Sequence, residues 1–155
     1  MQGHVDIIQQ LNDLLANELT AIDQYFIHSR IYEDMGLMQL FTRIDHEMQD
    51  EQRHADLLIK RILFLQGAPD IVKRVPVKVG KDVLTMLQND LNLEYQVIDD
   101  LKKVIVLCEQ KQDFETRNLL TELLADTEKD HTFWLEQQLK LIQRLGLENY
   151  QQSQM

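Results

Sequence analysis

Apolar residues recur at the three- and four-residue spacing of an amphipathic helix along four long stretches of the chain. The glycines and prolines all lie outside these stripes, where a helix would end. The pattern predicts helices at about 5–35, 38–65, 82–111 and 114–145, with a short fifth helix at about 147–153. So much helix is typical of an all-α bundle, and 155 residues suffice for one domain, 1–155, with a single core.

Two of the predicted connections are tight turns and one is long. Gly36 and the Gln112-Asp113 pair each predict an antiparallel hairpin. About 15 residues around Pro76 join the hairpins; at ~3.3 Å each they reach as far as a 28-residue helix, which rises ~1.5 Å per residue. The sequence therefore favours a four-helix bundle with a long crossover between helices 2 and 3. A plain up-down bundle with a loose loop is the alternative.

Each stripe contains metal-binding side chains where leucine would be expected. The first and third stripes contain one glutamate each, and the second and fourth contain Glu-x-x-His: Glu18, Glu94, Glu51 with His54, and Glu128 with His131. Residues three apart in a helix share a face. Counted from the turns, all six groups lie at a similar height and are predicted to converge at mid-bundle. Because burying unpaired carboxylates is costly, the pattern indicates cations between the helices.

The type and number of these groups predict the metals. Four carboxylates and two neutral imidazoles carry four negative charges, which two divalent ions balance, and mixed oxygen and nitrogen ligands favour iron or manganese. Glu51 and Glu128 are the predicted bridges between ions ~3.5–4 Å apart. Tyr25, two helical turns beyond Glu18, is either a source of an electron or hydrogen bond near the metals or an ordinary core aromatic.

Composition narrows the partners and the compartment. A net charge of −10 argues against nucleic acid as a partner and is compatible with attracting cations. No basic leader and no run of about 18 uncharged apolar residues occurs, so we expect a cytoplasmic protein that does not span a membrane. Cys108 is the only cysteine, which excludes an intramolecular disulfide and CxxC, and its stripe position predicts a packing role.

At these residues the chain resembles the bacterioferritins over essentially its whole length. The matching stretches are Met1-Gln-Gly-His, Asp23-Gln24-Tyr25-Phe26, His28-Ser29-Arg30, Glu51 to His54, Glu128-Lys-Asp-His131 and Gly146-Leu-Glu-Asn-Tyr. The resemblance implies a ferritin-like bundle whose six groups are the ligands of a di-iron ferroxidase centre. It also implies a hollow 24-subunit cage that oxidises Fe(II) with O2 or H2O2 and stores ferric mineral. The fifth helix would then line a pore between subunits.

The resemblance also implies roles for an inner-surface pair of residues and for the position of the haem ligand. His46 and Asp50 match an inner-surface iron site of that family, whereas from the residues alone they would be solvated helix positions. Gln52 stands where bacterioferritins have the methionine that ligates haem, and Met48 and Met86 are predicted to be packing residues. We therefore expect this chain alone to bind no haem. It would form a homo-oligomer, or a hetero-oligomer with haem-binding bacterioferritin subunits.

Several other functions remain open on the sequence. The same bundle could serve another di-iron or di-manganese carboxylate oxidoreductase or peroxidase, although the lack of CxxC excludes a rubredoxin tail. A metal-free bundle acting as an interaction scaffold is a second alternative, and a four-helix haem protein is a third. Iron release by a ferredoxin-type reductant is a further expectation that follows from the resemblance.

Overall fold

Six α-helices and one π-helical segment make up the fold, and no strand is present. The computed structural model describes all residues, 1–155. The elements are α1 (Val5–Asp34), α2 (Met38–Phe64), α3 (Val83–Gln110), α4 (Phe114–Asp126), the π segment (Thr127–Thr132), α5 (Phe133–Leu145) and α6 (Leu147–Ser153). The all-α class and the predicted helices are confirmed, with one difference: the π segment interrupts the fourth long helix. None of the helices combines the length and the apolar character needed to cross a membrane.

Tight turns with positive φ close both hairpins. Gly36 (φ 76°) reverses the chain between α1 and α2, and Gln112 (φ 59°) reverses it between α3 and α4. Asp113 then begins α4 by accepting a hydrogen bond from the backbone N–H of Thr116 at 3.0 Å. Gly146 (φ 79°) separates α5 from α6, as the sequence predicts.

The connection between α2 and α3 runs along α1 for most of its length. Its backbone forms hydrogen bonds with four side chains spaced along α1, namely Asn12, Thr20, Gln24 and His28. The final bond joins the N–H of Gly80 to His28 Nε2 at 3.1 Å. Because α3 thus begins near the C-terminal end of α1, the two hairpins are joined by a full-length crossover. The predicted topology is confirmed.

The apolar core has two parts that lie above and below mid-bundle. The lower core, from the side where α1 begins, includes Leu11, Leu58, Leu101, Cys108 and Leu120. The upper core includes Tyr32, Leu40, Met86, Leu87 and Leu135. Five of the six polar positions of the stripes fall between these two cores, where the side chains are buried. An ionisable group there needs a partner of opposite charge.

Candidate metal centre

Five of the six predicted metal-binding groups lie together between the two cores. α1 supplies Glu18, α2 supplies Glu51 and His54, α3 supplies Glu94, and the π segment supplies His131. Each residue is no more than 1% exposed. The imidazole rings of the two histidines face one another, with centroids 5.8 Å apart and planes 19° from parallel.

Glu51 lies at the centre of the group. Its Oε2 is 3.1 Å from His54 Nδ1, and its Oε1 is 2.7 Å from His131 Nδ1. Glu18 Oε2 lies 3.8 Å from the same nitrogen of His54, and Glu94 Oε1 lies 3.4 Å from that of His131. The ligand atoms therefore form two sets, each within 4.8 Å, that have Glu51 in common.

Several polar atoms in the centre have no hydrogen bond of acceptable geometry. They are Glu18 Oε2, Glu51 Oε1 and His131 Nδ1, and all are buried. A buried polar atom without a partner costs roughly 1–3 kcal/mol, and more if charged. Carboxylate and imidazole atoms of this kind are ligands that suit divalent iron or manganese. The residues present fit a pair of such ions.

The pKa values of the three buried glutamates of the centre shift in different directions: those of Glu18 and Glu94 are raised and that of Glu51 is lowered. Burial raises the pKa of Glu18 well above its ordinary value, and the charge of Glu51 raises it further. Burial and the same charge raise the pKa of Glu94. Burial also opposes ionisation of Glu51, but close contacts with Glu18, His131 and His54 outweigh it and hold its pKa well below the usual range. Without metal, the cluster therefore shares protons around an ionised Glu51.

Both histidines are cationic at neutral pH when no metal is bound. Burial lowers the pKa of His54, but the contacts and negative charges of Glu18 and Glu51 outweigh it and raise the pKa to about 10. Burial likewise opposes the charge on His131, yet contacts with Glu47, Glu51 and Glu94 raise its pKa well above the usual value. A metal ion that binds either imidazole must therefore displace a proton.

The structure does not place Glu128 with the other five groups. Its side chain is 45% exposed, its Oε1 lies 3.5 Å from Lys102 Nζ, and it belongs to neither set of ligand atoms. The π segment explains the difference, because i→i+5 hydrogen bonding widens the turn and residues three apart no longer share a face. Thr127 is buried in its place.

Two carboxylates that the sequence analysis missed contact the histidines from the far side. Glu47, only 2% exposed, places Oε2 2.6 Å from His131 Nε2. Asp126 places Oδ2 3.2 Å from His54 Nε2. Glu47 had a detectable signal, since it continues the three- and four-residue spacing between Ile44 and Glu51. Asp126 had none, because its contact with His54 joins the end of α4 to a different helix.

Tyr25 and the predicted inner-surface pair lie around the centre. The hydroxyl of Tyr25 donates a hydrogen bond to Glu94 Oε1, and burial followed by the charge of Glu94 raises the pKa of Tyr25 well above normal. His46 Nε2 lies 3.5 Å from Asp50 Oδ2, which lies 3.4 Å from His131 Nε2. His46 is exposed, so this row of side chains connects the surface with the centre.

Comparison with known proteins places the chain in a family. The family model described as a ferritin-like domain matches residues 8–145. The chain belongs to the ferritin-like family. A "Bacterial ferritin" of Synechocystis sp. is 57% identical over 155 residues, covering 100% of this chain and 99% of that protein. A "Bacterial ferritin" of Pseudomonas aeruginosa is 54% identical (99% of both chains), and a "Bacterioferritin" of Mycolicibacterium paratuberculosis is 41% identical (97% and 94%).

The haem question in this ferritin-like chain centres on Gln52. Gln52 is exposed on α2, next to Glu51. Met48 is half-buried and packs against the upper core, and Met86 is fully buried within it. The expectation that this chain alone binds no haem stays a prediction.

The metal-free ferritin-like chain is expected to lose stability as pH rises from about 6.5 to about 10. The raised pKa of His54 contributes stability that is complete below 6.5 and is lost as pH passes about 10. The raised pKa of Glu18 also contributes stability, which is lost as pH rises from 4.5. The lowered pKa of Glu51 contributes stability that is fully present above pH 4.5. Melting temperatures of chelator-treated protein across this range measure the effect.

The matched control for this prediction is His54→Gln. Its melting temperature should fall less steeply over the same pH range, because one of the titrating groups is absent. A wild-type curve that is flat, or parallel to that of the variant, would show that His54 is not held as a cation in the fold.

Proposed function

We propose that this protein is a ferroxidase that oxidises Fe(II) at the buried centre and stores the ferric product as mineral inside a 24-subunit cage. The observation that carries the proposal is the position of Glu51, whose two oxygens face two different histidines. Membership of the ferritin-like family and relatives named bacterial ferritin support iron storage. The proposed ligands are Glu18, Glu51, His54, Glu94 and His131.

Iron is the substrate of this centre, and two Fe(II) ions would share Glu51. One ion would be held by Glu18 and His54, and the other by Glu94 and His131. Two Fe(II) ions and three carboxylates give the loaded site one net positive charge. The six-group pattern has a fourth carboxylate, which would make the loaded site neutral. Because Glu128 lies outside the group, an open coordination position would remain for the oxidant, as in other catalytic metal sites.

The electron and proton balance suits a pair of ions. Two Fe(II) ions supply the two electrons that reduce O2 and two protons to H2O2, or H2O2 and two protons to two waters. Metal binding displaces a proton from each histidine, and it also displaces the protons that the raised pKa values of Glu18 and Glu94 retain on these carboxyl groups. Tyr25 orients Glu94 through its hydrogen bond and is a further candidate electron donor.

The shape of the molecule favours a small oxidant over an organic substrate. The larger surface cavities, with volumes from about 260 to about 520 Å³, are not lined by any of the five proposed ligands. An oxygenase acting on an organic molecule needs such a cavity beside its metals. Metal ions and O2 or H2O2 need only a narrow path between side chains.

Several neighbouring roles belong to the same proposal. Asp50, between His46 and His131, would pass iron between the centre and the inner surface of the cage. Cytoplasmic location, co-assembly with haem-binding subunits and a ferredoxin-type reductant for iron release are also proposed from the family. A cage of this chain alone would lack haem, since Gln52 cannot act as a thioether ligand.

Rapid mixing of metal-free protein with Fe(II) and oxidant tests the proposal. Ferric absorbance should rise in a fast phase that ends near two irons per subunit, followed by slower mineral growth, and size-exclusion chromatography should give the mass of the cage. Glu18→Ala and His131→Ala should slow the fast phase while the assembly stays intact. Oxidation no faster than in protein-free buffer would refute the ferroxidase function.

A further inference from the structure

Both histidines of the centre use their two ring nitrogens in the same way. Nδ1 of His54 and Nδ1 of His131 face Glu51, and each Nε2 faces another carboxylate on the opposite side of the ring. That carboxylate is Asp126 for His54, at 3.2 Å, and Glu47 for His131, at 2.6 Å. Each imidazole is thus held between the shared metal ligand and one outer carboxylate.

An arginine fixes each outer carboxylate in turn. Arg53 Nη2 donates to Asp126 Oδ2 at 2.7 Å, and Arg43 Nε lies 2.5 Å from Glu47 Oε1. The Arg43 guanidinium also lies over the ring of Trp134, 4.9 Å from its centroid, which restricts its movement. The two carboxylates therefore have fixed orientations before any metal binds.

We propose that Glu47 and Asp126 are positioning residues for the two irons. They accept the Nε2–H of His131 and His54, which leaves Nδ1 as the nitrogen that binds metal and makes each imidazole a stronger ligand. This inference rests on the proposed ferroxidase function. It also gives a role to the buried Oε2 of Glu47, which lies 2.6 Å from His131 Nε2 and has no hydrogen bond of acceptable geometry to any group.

The two positions differ in their access to water. Glu47 is 2% exposed, whereas the side chain of Asp126 is 44% exposed. Water can take over the hydrogen bond of a lost Asp126 but has little access to the position of Glu47. Loss of Glu47 therefore has the larger effect. Asp50 Oδ2 also forms a hydrogen bond with His131 Nε2, at 3.4 Å. Because this distance is longer than the 2.6 Å to Glu47 Oε2, Asp50 is expected to contribute less.

Titration of the metal-free cage with Co2+ tests the roles through binding alone. Glu47→Gln should weaken one of the two bound Co2+ ions by ~10–100-fold, and Asp126→Asn should weaken the other by a smaller factor. Asp50→Asn should have a smaller effect than Glu47→Gln. Asp56→Asn is the control: it removes the same charge from an exposed position on α2, paired only with Lys60, and should leave both ions unchanged.

Double variants assign each effect to one ion. In a His131→Ala background Glu47→Gln should cause no further loss, while Asp126→Asn should still weaken the remaining ion. Circular dichroism and cage mass identify any variant that fails to fold. Glu47→Asp, which keeps the charge but withdraws the carboxylate, is the second variant at this position.

The outcomes separate the two proposals. Two Co2+ ions that bind as tightly to Glu47→Gln as to wild type would overturn the positioning role and leave the metal centre standing. Equal losses in the His131→Ala and His54→Ala backgrounds would also overturn it, because the effect would then not act through one histidine. Wild-type protein that binds no Co2+ would refute the metal centre itself, and the positioning roles with it.

Discussion

Replacing Glu51 with alanine is expected to lower the rate of fast Fe(II) oxidation by about 100-fold or more. Loss of a residue that merely orients a metal ligand costs ~10–100-fold, and Glu51 is in direct contact with both histidines of the centre. The variant should still assemble, because removing one of several like charges from a buried cluster need not destabilise the metal-free bundle. Rapid-mixing absorbance and size-exclusion chromatography measure the two effects.

Glu128→Ala is the matched control for that experiment. The substitution is chemically the same, but Glu128 is exposed and paired with Lys102. Oxidation should stay within about twofold of wild type, since an exposed ion pair contributes little. If Glu128→Ala were as slow as Glu51→Ala, Glu128 would have to enter the centre when iron binds, and the five-ligand description would be wrong.

Replacing Asp90 with alanine is expected to cost on the order of 3 kcal/mol of unfolding free energy or more. Asp90 Oδ1 lies 2.8 Å from both Gln24 Nε2 and His28 Nδ1, and all three residues are buried. His28 in turn accepts the N–H of Gly80, so one carboxylate ties α3, α1 and the crossover together. Its loss leaves two buried donors without a partner, which is more costly than a lost surface contact.

Guanidinium denaturation or melting of the metal-free protein measures this effect. A loss of ~3 kcal/mol corresponds to roughly 6–12 °C in melting temperature for a chain of this size. Asp99→Ala, an exposed position on the same helix, should change stability by no more than about 0.5 kcal/mol. Equal effects of the two substitutions would show that the buried network does not hold the crossover in place.

The helices and their topology could be predicted from the sequence because both depend on local features. Stripe spacing and the positions of Gly36, Gln112 and Gly146 set the helix ends, and the turns have the positive φ values that such positions favour. The crossover could be predicted from the length of the connection between α2 and α3 alone. Its anchors on α1 could not be predicted, because hydrogen bonds between a loop and a distant helix depend on tertiary contacts.

The position of Glu128 away from the other five groups has a specific physical cause. The residues that the prediction used follow regular α-helical spacing: Leu120, Leu124, Glu128 and His131. The prediction assumed that this spacing holds along the whole helix. The buried face instead passes through Leu123 and Thr127 before it reaches His131, because the π segment changes the angular step between residues. Stripe counting assumes a constant step and cannot detect such a change.

The outer carboxylates show a second limit of stripe counting. Glu47 lies on the buried face of α2, but one more acidic residue among charged neighbours does not by itself identify a contact with His131 on another helix. Asp126 reaches His54 only because α4 ends beside α2. Groups that act through another residue leave a weaker sequence signal than the ligands themselves.

The central claim is that two irons bind on either side of the Glu51 carboxylate, and anomalous scattering from crystals soaked anaerobically in Fe(II) tests it most directly. We predict two iron peaks ~3.5–4 Å apart, one beside Nδ1 of His54 and the other beside Nδ1 of His131. Crystals with no iron between the two cores, or with iron bound only at Glu128 and the outer surface, would contradict the account.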